Sequence, residues 1–80
     1  MADDPAASRY RSNLQGEIDS SALYRSLAEV EGNPQLATVY RRLAAIEDAH
    51  AEFWRSQLAR IGAAAGKLRP EWRSRALAKA

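Results

Sequence analysis

The chain has no cysteine, which removes disulfides and thiolate metal sites together. Large aliphatic side chains are also scarce. Apolar residues make up 46% of the 80 positions, but alanine supplies much of that share. One domain of this size is marginal as a single core. Stability is therefore expected from a bound metal, from self-association or from a larger parent protein. No run approaches the roughly 18–20 apolar residues that a membrane span needs. The opening MADDPAAS is acidic and lacks a hydrophobic region, so no signal peptide is expected and the cytoplasm is the expected location. Histidine occurs once, as His50.

The net charge of +2 is unevenly spread. Residues 1–50 carry five Arg against eight Asp or Glu, a balance of −3, whereas residues 51–80 carry seven Lys or Arg against two Glu, a balance of +5. An acidic front half suits cations and a basic tail suits an anionic surface, although solvated helix faces produce the same pattern. The basic residues lie on a short tail without a recognisable reading motif, so no nucleic-acid partner is expected.

Three segments follow from the punctuation. Residues 1–8 read as a flexible leader containing Pro5, with Ser8 placed to cap a first helix from about Arg9 to Glu31. Leu, Ala, Arg, Gln and Glu dominate that helix, interrupted only by Gly16. Gly32-Asn33-Pro34 breaks the pattern: Gly32 stops one helix, Asn33 caps the next and Pro34 opens it. The second helix is expected from Pro34 to about Ala64, fraying between Gly62 and Gly66. So short a loop makes the pair an antiparallel hairpin over residues 9–65. Residues 66–80 form a basic segment in which Pro70 opens a short third helix carrying Trp72, Arg73, Arg75, Leu77 and Lys79.

The second helix carries an unusual seam. Steps of four and three residues from Leu36 give Tyr40, Leu43, Glu47, His50, Trp54, Gln57 and Ile61. Such positions normally face a partner helix and stay dry. Glu47 and His50 interrupt the seam and leave the helix on one face. The first helix has a matching series in Tyr10, Leu14, Glu17, Ser21, Tyr24 and Ala28, widened by Ile18, Leu23, Leu27 and Val30.

Registry joins the two series. At about 1.5 Å per residue, Glu17 lies roughly 24 Å from the turn at Asn33, and Glu47 and His50 lie roughly 21 and 25 Å from it. All three are expected at one level. Two carboxylates and an imidazole are half of the set used by di-iron and di-manganese carboxylate bundles, which take one Glu from each of two helices and Glu-x-x-His from each of the others. Carboxylates bridge two cations, and imidazole suits iron, manganese or zinc. With a single His50 one chain cannot complete that set, whereas a two-fold dimer can. Tyr24 is placed to act as a hydrogen-bond donor beside the ligands, or as an ordinary core aromatic. Glu29, Glu31, Asp48 and Glu52 read as solvated helix-face charges.

The run Asn13-Leu14-Gln15-Gly16-Glu17-Ile18-Asp19, then Ala22-Leu23-Tyr24-Arg25, then Leu43 through His50 and on to Phe53-Trp54, resembles the rubrerythrin-like branch of the ferritin-like superfamily. It is most similar to the N-terminal ferritin-like domain fused to vacuolar-iron-transporter-type membrane proteins. Encapsulated ferritins are also similar, as two-helix chains that build a metal site across a dimer interface. The resemblance implies iron or manganese binding by Glu17, Glu47 and His50, with ferroxidase or peroxide chemistry. It also implies that the tail around Pro70 and Trp72 is the connection toward a membrane transporter domain in a parent protein. The second helix pair of a full ferritin-like domain is absent, and without cysteine there is no rubredoxin centre to relay electrons.

The expected fold is all-α: an antiparallel two-helix hairpin plus a short C-terminal helix, half of a ferritin-like four-helix bundle completed by dimerisation. The expected function is iron or manganese binding at a di-metal carboxylate site built across a homodimer, with oxidation of iron(II) as the reaction. The alternatives are a non-catalytic helical interaction module and a truncated N-terminal domain of a membrane iron or manganese transporter.

Overall fold

The computed structural model describes residues 4–71. Two helices, α1 (Ala6–Val30) and α2 (Pro34–Arg60), account for the secondary structure among these residues. They run antiparallel, because Tyr10 packs on Trp54 near the open end and Tyr24 stacks on Tyr40 nearer the loop.

The loop behaves as its residues dictate. Asn33 Oδ1 accepts hydrogen bonds from the backbone N–H groups of Gln35 (2.9 Å) and Leu36 (3.2 Å), and Pro34 follows where a missing N–H costs nothing. The helix ends differ from expectation. Ser8 does not cap α1; the Asp4 carboxylate does, accepting from Ala6 N–H at 2.8 Å, with Pro5 already helical behind it. An acid before a proline offers a free acceptor and a preset φ one turn earlier than the serine. α2 stops at Arg60 rather than Ala64. Gly62 turns left-handed (φ +69°), Ala63 N–H reaches Leu58 C=O at 2.9 Å and Gly62 N–H reaches Ala59 C=O at 3.1 Å. That paired closure is the Schellman motif, which a glycine enters without a Cβ clash.

Small residues make the helix contact. Ala7, Leu14, Ser21 and Ala28 are buried on α1, and Ala37, Ala44, Ala51 and Leu58 on α2, each set repeating every seventh position. Tyr10, Glu17 and Tyr24 flank the first row, and Tyr40, Glu47, Trp54 and Ile61 flank the second, all half-buried. The seam expected on α2 is thus displaced by one residue in half of its members. Leu36 and His50 are exposed, and Leu43 and Gln57 only half-buried. The reason is steric: alanines let two backbones approach closely, and the larger side chains one position earlier are turned aside.

One broad face is covered by the chain after α2. Arg11 Nε donates to Ala64 C=O (2.8 Å), Gln15 Nε2 donates to Arg69 C=O (2.6 Å), and Glu71 N–H donates to Asp19 Oδ1 (2.6 Å). Arg11, Gln15 and Asp19 are four residues apart on α1 and form one stripe. Ala63, Ala65 and Leu68 pack from this strap onto the Ala7–Leu14–Ala51–Leu58 core. Pro70 and Glu71 lie outside any helix, and the remainder of the expected third helix falls outside the described residues. No helix among the described residues is long and apolar enough to cross a membrane.

Candidate metal centre

Glu17, Glu47 and His50 meet at one level of the hairpin, as the registry requires. One ligand atom from each lies within 4.8 Å of the others. His50 Nδ1 is 3.5 Å from Glu17 Oε2 and 3.9 Å from Glu47 Oε2. The two carboxylates flank the helix contact and keep only about a fifth of their side-chain surface exposed, 22% and 21%, whereas His50 keeps 55%. His50 belongs to the displaced half of the α2 seam, so it stands at the edge of the pair and opens outward.

The carboxylates are arranged as anions waiting for a partner. Glu17 Oε2 is buried without a hydrogen bond. Glu47 has its carboxyl pushed above the usual glutamate range, first by the hydrogen bond it shares with Glu17, then by burial and by the Glu17 charge; His50 opposes the shift. A proton between two acids is the substitute when no cation is present. A metal ion would satisfy the orphaned oxygen and both charges at once, so the donor set fits a divalent cation of the iron, manganese or zinc type.

Aromatic rings bracket the acids. Tyr10 and Trp54 lie on one side with centroids 5.5 Å apart, and Tyr24 and Tyr40 on the other at 6.4 Å. Tyr24 lies two turns from Glu17 with its ring stacked on Tyr40. An open notch of about 410 Å³ reaches the acids from the α1 side, lined by Asn13, Gly16, Glu17, Ser20, Glu47 and Trp54 among others.

One participant was missed in the sequence. Asp48 is not a merely solvated charge. Its Oδ1 accepts from Ser21 Oγ (2.5 Å), its Oδ2 accepts from Arg25 Nη2 (2.6 Å), and Arg25 Nη1 donates to Ser21 Oγ (2.5 Å). The Ser21 hydrogen bond, followed by the hydrogen bond and charge of Arg25, holds the Asp48 carboxyl below its ordinary range despite partial burial. The available signal was positional: Ser21 follows Glu17 by one turn, and Asp48 follows Glu47 directly. Glu52 pairs with Arg55 and Glu31 accepts from Asn33 N–H, both within their own neighbourhood.

Two paired helices that bring two carboxylates and an imidazole to one level carry half of the ligand set of ferritin-like carboxylate bundles. The rubrerythrin family model matches residues 11–78, and the chain belongs to the rubrerythrin family. No curated protein and no solved structure matches it. Membership points to iron binding of the ferritin-like kind, and the Glu17–Glu47–His50 group is where this chain carries suitable ligands.

Proposed function

We propose that the chain is a cytoplasmic iron-binding protein whose di-metal carboxylate centre is completed when two hairpins pair. The observation that carries this is the half set itself. Two carboxylates and one imidazole converge, and an oxygen of Glu17 is buried with no hydrogen bond. The matching half is a second Glu and a second Glu-x-x-His, which another copy of the same chain contains.

The faces of the hairpin support that pairing. The strap covers one broad face, while Ile46 (49% exposed) and Phe53 (53% exposed) share a stripe of α2 with His50. Ile46 and Phe53 stand four residues before and three after the imidazole, so a partner that buries them also buries His50. In this reading Ile46 and Phe53 are the apolar side chains that a second copy would cover.

Within each hairpin, Glu17 and Glu47 would hold the metal as carboxylate donors, Glu47 standing beside both Glu17 and His50, and His50 would supply the nitrogen donor. The Tyr10–Trp54 and Tyr24–Tyr40 pairs would limit water on either side of the acids along the helix axis. When bound, iron supplies one-electron chemistry toward dioxygen or peroxide, so oxidation of iron(II) is the reaction this reading assigns. Manganese fits the same donors.

Anaerobic iron(II) titration of wild type and His50→Ala tests the ligand set. Tight binding in wild type, lost in His50→Ala while helicity persists, supports it. Absence of binding in wild type would sink it.

A further inference from the structure

The acid pair carries a structural cost. Glu17 and Glu47 repel across the helix contact whenever both are ionised and no cation lies between them. On the loop side of the acids the nearest buried positions are the small residues Ser21 and Ala44, which add little apolar packing there. The Leu14–Ala51–Leu58 core, with Ile18 and Trp54 packed on it, adjoins the acid layer toward the open end, and the Tyr24–Tyr40 stack lies toward the loop. Between them, the acid layer gains a polar tie of its own.

Ser21, Arg25 and Asp48 form one. Ser21 accepts from Arg25 and donates to Asp48, and Arg25 donates to the other Asp48 oxygen, so each member contacts the other two. Two of these three contacts cross from α1 to α2. Ser21 is one turn beyond Glu17, and Asp48 is the neighbour of Glu47. An attractive cross-helix link therefore lies on the next layer from a repulsive one.

We propose that Ser21, Arg25 and Asp48 are positioning residues, a clamp that holds Glu17 and Glu47 together in the metal-free hairpin so that the ligand set exists before a cation arrives. The clamp touches no ligand atom of the centre; it sets where the two ligand-bearing backbones lie. This rests on the metal-binding reading for its purpose, but the tie itself can be measured without metal.

The first arm is a double-mutant cycle in urea with chelator present, using wild type, Asp48→Ala, Glu17→Gln and the double variant. Asp48→Ala is expected to lower the unfolding midpoint, and Glu17→Gln, by removing the repulsion, to raise the midpoint by more in the Asp48→Ala background than in wild type. Residues that act on one approach of two helices are non-additive; simple additivity would overturn the proposal.

The second arm is manganese(II) affinity. Asp48→Ala and the milder Ser21→Ala are expected to weaken binding about tenfold with helicity retained. Asp48→Asn keeps an acceptor for Ser21 and should fall between them and wild type. Unchanged affinity in Asp48→Ala would overturn the proposal. If wild type binds no manganese or iron, the metal reading fails, and the urea cycle alone decides the clamp.

Discussion

His50 Nδ1 lies 3.5 Å from Glu17 Oε2, on a different helix. The two residues are not equivalent in their surroundings. Glu17 stands at the rim of the helix contact with one oxygen shut away from solvent, whereas His50 sits one position off that contact and keeps more than half of its side chain exposed. The contact between them is thus made at the boundary between the inside of the hairpin and its exposed surface.

The acid pair makes the metal-free hairpin sensitive to pH. Glu47 has a raised pKa in the folded chain, so the folded state binds its proton more tightly than the unfolded state does. Its stabilising contribution is present below the unfolded glutamate value of about 4.3 and is lost as pH rises through the higher folded value. Asp48 has the opposite sign, since its lowered pKa gives stability that fades only as pH falls below the ordinary aspartate value of about 3.9. Thermal melts in chelator should show stability declining as pH rises above roughly 4.3. Glu47→Gln should flatten that decline, and an unchanged slope in the variant would contradict the assignment.

The helix ends should matter for stability and not for the ligands. Asn33→Ala removes the acceptor for Gln35 and Leu36 N–H and is expected to cost about 1 kcal/mol. Gly62→Ala forces a Cβ into the left-handed region and should cost about 1–2 kcal/mol. Urea unfolding measures both, and metal stoichiometry should remain that of wild type.

Much of this was legible before any coordinates. Asn33 and Pro34 mark the loop by their own chemistry, and a constant helical rise puts Glu17 level with Glu47 and His50. The offset in the α2 contact was not legible, because Tyr40, Glu47 and Trp54 belong equally to a stripe through Leu36, Leu43 and His50 and to one through Ala37, Ala44 and Ala51. Pattern favours the larger residues, while close packing of two backbones favours the alanines. Spacing along α2 alone leaves Asp48 a surface charge; its link to Ser21 and Arg25 follows only once the registry that levels Glu17 with Glu47 is extended to their neighbours. The strap had no periodic signal, since it is held through backbone carbonyls and an N–H that every residue possesses.

The strap should be worth a measurable share of stability. Leu68 packs half-buried on the core from the strap side. Leu68→Ala is expected to cost about 1–2 kcal/mol, somewhat less than removing a fully buried leucine. Gln15→Ala, which takes away the donor to Arg69 C=O, should expose residues 63–71 to faster protease cleavage. Cleavage at the wild-type rate in that variant would mean the Gln15–Arg69 hydrogen bond does not hold the strap.

The central claim is that one chain holds half a metal centre and a second copy supplies the rest. Native mass spectrometry of the chain under anaerobic conditions, with and without iron(II), reads particle mass and metal content together. A dimer carrying about two iron ions is the predicted species, following the di-metal pattern of carboxylate bundles, and His50→Ala should remove the metal. Iron held by a monomer at full occupancy, or a dimer that binds none, would contradict it.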